Sequence, residues 1–325
     1  MAEVKKSISS MQVVGTLKEI NLSKEGVQVR EIGKVGNKKK VECNRISKTE
    51  FKNPAFIVEV NGNPVEIDVT FGVDEKYIDK DGNVADNPRY KALETILNTY
   101  VCGETRAKFD CSINANEYVA QDGQWKTLTP KVEFFSTTHN NVPEEDYAEG
   151  AVSGIVANRR PEIVNDNETG RLLVRIWSFD YKGSIYPVDL VVESDLASDF
   201  ENLYETNSSV RLDVEVKTVQ HGAKTATETT GFGRKAKRTS GYTTTEFQVI
   251  GGDEPFEEEN EYYITADAVK DGMAEREVMI AKRIADKANA QSGGTTVKGS
   301  AANATFNPFG GDSNKGTSIP VESPF

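Results

Sequence analysis

The chain has 325 residues, with 39 Lys or Arg against 51 Asp or Glu and a formal net charge of −12. Its mean hydropathy is −0.52, and its apolar runs are a few residues long against the roughly 20 needed to span a bilayer. That excludes a membrane-spanning helix from the expected elements and fits two soluble domains of ordinary size.

Read in chain order, the sequence repeats itself. A strand-like Met11-Gln12-Val13-Val14-Gly15-Thr16-Leu17 opens the first unit. A charge-rich loop follows, then two β-rich runs, Phe56-Ile57-Val58-Glu59-Val60 and Val65-Glu66-Ile67-Asp68-Val69-Thr70-Phe71. Asn61-Gly62-Asn63 between them is a hairpin signal. Pro88-Arg89-Tyr90 begins a helix in which Leu93, Ile96, Leu97 and Tyr100 recur at helical spacing, and Gly103 ends it. Ala107, Phe109, Cys111 and Ile113 then alternate with polar residues as in a half-buried strand. Lys131-Val132-Glu133-Phe134-Phe135 supplies a last strand.

The second unit has the same order. Ala151-Val152-Ser153-Gly154-Ile155-Val156 corresponds to the first strand. Leu172-Leu173-Val174-Arg175-Ile176-Trp177 and Tyr186-Pro187-Val188-Asp189-Leu190-Val191-Val192 are joined across Lys182-Gly183. A short helix carries Leu196, Phe200, Leu203 and Tyr204 on one face. Val210, Leu212, Val214 and Val216 then alternate with polar residues, and Thr244-Thr245-Glu246-Phe247-Gln248-Val249-Ile250 closes the set.

Three strands, a helix and two strands is the order of the OB-fold, a five-stranded Greek-key barrel. The expected fold class is therefore mainly β: two tandem OB barrels, a C-terminal helix and a disordered tail. A pair of generic β-sandwiches would rarely place a helix at the same point in both units. The expected divisions are a first barrel over residues 1–145, a second over 146–255, an acidic linker and helix over 256–291, and the tail over 292–325. In the helix, Thr265 is a cap and Val269, Met273, Ile280, Ile284 and Ala288 form an apolar stripe, with Gly272 a weak point. The stripe suits packing on the second barrel, with self-association the alternative.

Charge is segregated despite the net acidity. Residues 30–52 hold eight basic residues, among them Lys38, Lys39 and Lys40, against three acidic ones. Residues 221–241 hold Lys224, Arg234, Lys235, Lys237 and Arg238 against Glu228 alone. Local field, more than net charge, governs attraction of a polyanion. On an OB frame these segments fall between strands one and two of the first unit and strands four and five of the second. Oligonucleotides bind an OB barrel beside those loops and on strands two and three. Phe232 and Tyr242 offer rings for base stacking beside the cations, whereas on charge alone a solvated loop would be the better reading. Alternation also puts Arg171, Leu173, Arg175, Trp177 and Phe179 on one face of a strand, a candidate stacking platform, with core packing of the two rings the alternative. In the first unit Phe56, Val58 and Val60 read as core, so the first barrel is the weaker binder or an assembly element.

At this point the chain resembles the OB-fold single-stranded DNA-binding proteins of bacteria and their phages. Residues 200–216 resemble their passage from helix to fourth strand. The terminal Pro324-Phe325 is similar to the tail tip by which bacterial members recruit replication and repair enzymes, which implies a partner-binding role for those two residues. This chain departs from that tip in having only Glu322 close by, Asp312 farther back and Lys315 opposing. The resemblance implies sequence-tolerant binding of single-stranded DNA, with RNA and homo-oligomer formation left open. An OB-based virion or complex scaffold is the alternative function.

Chemistry is weakly signalled. Cys43, Cys102 and Cys111 have no paired spacing, and His139 and His221 are the only histidines, so no metal or cofactor is expected and the cysteines read as reduced. Asp79, Asp81 and Asp86 come nearest to a calcium loop but lack its closing glutamate, so a solvated turn is expected. No acid–base or nucleophile pairing marks an enzyme. The first residues, Met1-Ala2-Glu3-Val4-Lys5-Lys6-Ser7, lack the apolar stretch of a secretory signal, so the expected location is the cytoplasm, that of the host for a phage protein.

Overall fold

The computed structural model describes residues 7–33, 38–138, 141–164, 166–180, 183–221 and 242–291, with the backbone alone at positions 220, 221, 242, 243 and 291. The first unit comprises β1 (Ser9–Ile20), β2 (Leu22–Ile32), β3 (Lys39–Lys48), β4 (Phe56–Val60), β5 (Asn63–Asp68), β6 (Val73–Asp74), β7 (Lys76–Ile78), β8 (Val84–Asp86), α1 (Pro88–Thr99), β9 (Arg106–Val119) and β10 (Trp125–Thr138). The second comprises β11 (Tyr147–Val164), β12 (Asn167–Phe179), β13 (Ile185–Val192), α2 (Ala197–Leu203), β14 (Ser209–His221) and β15 (Tyr242–Gly252), and α3 (Ala266–Gln291) follows it.

Each unit closes as an OB barrel. In the first, the strands run β1-β4-β5-β10-β9, and β9 returns to β1. In the second they run β11-β12-β13-β15-β14, and β14 returns to β11. In both, the third and fifth strands pair in parallel, as β5 with β10 and β13 with β15. The helix sits between the third and fourth strands each time. Asn87 caps α1 by accepting a hydrogen bond from the Arg89 amide at 3.0 Å, with Pro88 pre-set for the first turn.

Strand alternation fills the interiors. Phe56, Phe109 and Phe134 are all buried and meet at centroid separations of 5.5–6.3 Å, so three strands of the first barrel are tied by one ring cluster. Tyr90, Leu93 and Ile96 of α1 plug the same core. In the second barrel the matching positions are Val174, Ile176, Leu212, Val214 and Phe247.

The barrels share one sheet. β1 and β11 pair antiparallel from Ser9↔Val152 to Val14↔Tyr147, joining ten strands. Gly15 and Gly154 mark equivalent places where each first strand crosses its second strand. A Cβ at Gly15 would collide with the Glu59 carbonyl, and one at Gly154 with the Trp177 carbonyl. Four residues before each glycine stand Met11 and Gly150, and these two pair with each other. The ribbon is therefore self-complementary about a pseudo-two-fold axis, like the isologous contact of a homodimer built into one chain. Such a joint uses the free edges that strands one would otherwise expose. We expect Gly15→Ala and Gly154→Ala each to lower stability by about 1–3 kcal/mol, the range for overpacking a rigid site, measured as a drop in urea midpoint.

Three expectations are corrected. The charge-rich loop after the first strand is in fact the β2–β3 hairpin, which with β6 forms a separate three-stranded sheet. Alternation did not betray it because Val27 and Val29 are both about 60% exposed, so the strand lacks a buried face there. Helix α3 packs on the second barrel but also reaches the first, through Glu117 and the Val119 carbonyl. Gly272 is a contact point: a Cβ there would lie 3.2 Å from Ile185 and from Phe179. Thr265 does cap the helix, its hydroxyl accepting from the Ala268 amide at 3.1 Å. The Asp79 segment is a turn within the β7–β8 hairpin, where the Asp79 carboxylate accepts from the amides of Asp81 and Asn83.

Cys43 and Cys111 are buried and Cys102 is exposed, all three as free thiols. Burial pushes the Cys111 thiol far up, away from the reactive thiolate. A maleimide should therefore label one thiol per native chain quickly, at Cys102, and all three only after denaturation. Mass spectrometry after timed labelling reads this directly, and rapid labelling of two or more native thiols would contradict the burial.

Candidate nucleic-acid interface

Strand β12 presents the alternation the sequence shows. Leu172, Val174, Ile176 and Ser178 are buried, while Arg171, Leu173, Arg175 and Trp177 face outward and are part-exposed. Across the ladder Arg175 stands opposite Asp189 and Trp177 opposite Pro187. This is the outer face of strands two and three.

The surroundings of that face were not legible in β12 alone. Arg175 donates two hydrogen bonds to Asp189, at 2.6 and 2.8 Å, and the Asp189 carboxylate raises its pKa. The pair is about 40% exposed on both sides, so it is weak enough to be exchanged for a phosphate contact. Arg171 is different. It is 15% exposed and ion-paired to Glu162, Glu193 and Glu246, from the β11 end, the segment after β13, and β15. Burial opposes its charge, but the hydrogen bond to Glu246 and the neighbouring carboxylates outweigh that and raise its pKa. It clamps the barrel wall.

The aromatic part of the face is covered. Phe179 is buried with Ile155, Ile185 and Ile264 in a small cluster beneath α3, where Trp177, Val269 and Met273 also pack. A ring so enclosed cannot stack on a base, so Phe179 belongs to the helix contact and not to an open platform. Trp177 is part-exposed, with the Arg276 guanidinium 5.9 Å from its ring. Arg276 is in turn buried, forks onto the Glu117 carboxylate and donates to the Ile185 carbonyl.

Lys39 and Lys40 of the first basic segment lie at the connected end of the β2–β3 ladder, where Ile32 pairs with Lys39. Lys40 stands opposite Glu31 in the ladder, Lys38 pairs with Glu31 at 3.3 Å, and Lys39 donates to the Gly82 carbonyl. The second segment begins where β14 and β15 end, at the His221↔Tyr242 pair. Its residues Lys224, Phe232, Arg234, Lys235, Lys237 and Arg238 lie outside the described residues, as do the Tyr242 side chain and the tail residues Pro324 and Phe325.

Two aromatic residues escaped the sequence reading. Phe51 is 80% exposed, with the Lys48 ammonium 5.1 Å from its ring, and Phe71 is 77% exposed. Phe51 stands in a polar turn just before Asn53-Pro54, a place where a ring has no core to enter. That was a usable signal. Phe71 ends an alternating run and looked like its continuation.

Among the described residues no helix is long and apolar enough to cross a membrane, and no group of three potential ligands could hold a metal ion. A family model named YorF matches residues 8–286, a span that takes in both barrels and most of α3. The chain belongs to the YorF family. No curated protein matches the chain in sequence. Among solved structures, a deletion mutant of the single-stranded DNA binding protein from Thermus aquaticus is similar at a TM-score of 0.42 and 8% identity, over 78% of this chain and 98% of that one. The wild-type Thermus aquaticus protein is similar at 0.38 and 8%, over 78% and 96%. Likeness at that level carries no weight for what this YorF-family chain binds. Its own topology carries the OB assignment.

Proposed function

We propose that this chain is a non-enzymatic binder of single-stranded DNA that protects or organises single strands during replication or recombination, without sequence specificity. The observation that supports this most is positional. In OB order the two cation-rich segments of an otherwise acidic chain fall between strands one and two of the first barrel, where the β2–β3 hairpin is inserted, and between strands four and five of the second, the connections beside which OB barrels bind oligonucleotides. Cations there meet phosphates, and Phe232 and Tyr242 are the rings offered to bases; Trp177 adds only the part of its ring that α3 and Arg276 leave exposed. The tail tip, Pro324 and Phe325, is proposed to contact replication or repair proteins, and the site of action to be the cytoplasm.

The experiment is fluorescence anisotropy with a labelled single strand and a duplex of equal length across a salt series. The reading requires tight binding of the single strand that weakens steeply with salt. Absence of binding at low salt would sink it. A second reading, an OB-based scaffold, draws on the acid around Arg171 and the cover over Phe179, which suit a wall built for protein contact. It requires a defined assembly by light scattering and no salt-dependent DNA binding.

A further inference from the structure

Three phenylalanines of the first barrel stand in solvent: Phe51, Phe71 and Phe135 are 80%, 77% and 69% exposed. The ladders bring them to one end of the barrel. Phe51 precedes β4, whose Phe56 pairs with Ile67 of β5. β5 and β10 run parallel with Asp68 beside Glu133, and Phe71 and Phe135 follow that pair by three and two residues. Polar side chains tie down the ground between the rings. Lys48, whose ammonium lies 5.1 Å from the Phe51 ring, pairs with Asp68 at 2.7 Å, and Lys131 pairs with Asp68 at 3.4 Å. Lys131 also donates to the Thr70 hydroxyl, which donates to Glu133 at 3.0 Å, and Arg89 pairs with Glu133 at 3.2 Å.

The barrel frame does not require these rings. Phe135 is the unpaired residue of a β-bulge, since Phe134 faces Cys111 and Ser136 faces Asp110 across the ladder. The second barrel has the same bulge at Ile250, between Val249 opposite Val214 and Gly251 opposite Asp213. Counted from the parallel pairs Asp68↔Glu133 and Val191↔Gln248, Phe71 corresponds to Ser194. The second barrel thus closes with no ring at either place. An exposed ring keeps its apolar surface in water and gains no core packing, which points to a ligand. Among the described residues none of the three rings stacks on another, and the ion-paired side chains lie among them. A protein partner would more naturally cover a continuous apolar patch. Separate rings over paired charges suit a row of separate flat groups, and the bases of a single strand are such a row.

We propose that Phe51, Phe71 and Phe135 form a base-stacking surface for single-stranded DNA at this end of the first barrel. The inference rests on the single-strand reading above and adds to the cation-rich segments a second contact of a different kind. A base stacks on a ring whatever its identity, so the surface adds affinity without sequence preference. Its cations Lys48, Lys131 and Arg89 are already paired with Asp68 and Glu133. Few counterions are therefore released there, and the affinity it adds is insensitive to salt.

The test uses the full chain in the anisotropy assay with oligo-dT and an abasic strand of equal length. Phe51→Ala, Phe71→Ala and Phe135→Ala should each lower affinity for oligo-dT roughly tenfold, and the triple variant roughly a hundredfold or more, as for lost base–ring contacts. The slope of log affinity against log salt should stay that of the wild type, and affinity for the abasic strand at low salt should not change. Phe71→Trp should keep the affinity for oligo-dT. All three rings are exposed, so the fold should tolerate the substitutions, and an unchanged urea midpoint checks this. Equal losses on oligo-dT and the abasic strand would show the rings acting through the structure and overturn the stacking. Unchanged oligo-dT affinity in the triple variant overturns the surface and leaves the rings to a protein contact, with the single-strand reading intact. Failure of the wild type to bind oligo-dT at low salt overturns both ideas together.

Discussion

Replacing Arg234, Lys235, Lys237 and Arg238 together by alanine is expected to cut the affinity for single-stranded DNA by roughly two to three orders of magnitude at about 0.1 M salt. Each phosphate contact on a single strand contributes about 0.7 to the slope of log affinity against log salt, so losing four should flatten that slope by about 3. The fold should be untouched, because the β14–β15 ladder is paired up to His221↔Tyr242 before this segment begins. Replacing Lys38, Lys39 and Lys40 should do less. Lys38 is already paired with Glu31, and Lys39 is tied to the Gly82 carbonyl. An unchanged salt slope in the first variant would remove residues 222–241 from the binding site and shift weight to the scaffold reading.

The second large effect concerns stability. Arg276 of α3 and Glu117 of β9 have side chains 8% and 7% exposed and form a forked pair. Removing one partner strands a buried charge, which costs about 3–5 kcal/mol, whereas an apolar pair of similar shape can be near neutral. Arg276→Met should therefore destabilise strongly, and Arg276→Met combined with Glu117→Leu should recover most of the loss. Urea midpoints measure this. If the two losses simply add, the pair is not the clasp its geometry indicates. Both tryptophans of the chain report on the same contact, since Arg276 lies over Trp177 and Arg283 over Trp125. A released helix should expose both rings and shift their emission to the red. It would also uncover Phe179.

The order of the barrels was legible in the sequence because OB strands bury one face and expose the other. Period-two alternation at Ala107, Phe109, Cys111 and Ile113 and at Val210, Leu212, Val214 and Val216 follows directly from that, and both sets form fourth strands. The helix at the same point in each repeat fixed the topology, since few β folds interrupt two units alike. The positions of the basic segments along that order followed too. The acidic sequence as a whole gave no help, because net charge does not say where charge sits.

What tertiary structure decided are pairings between residues far apart in the chain. The Met11↔Gly150 joint merges two barrels into one sheet through backbone hydrogen bonds, and a backbone edge carries no side-chain signature of its partner. Arg171 and Glu246 are 75 positions apart, so nothing near Arg171 announces that carboxylates hold it. Phe179 faces outward by alternation as expected, yet is buried, because α3 folds over it from nearly 100 residues away. Alternation tells which way a side chain points. Only the folded chain determines what it meets there, since contact depends on where every other element has packed.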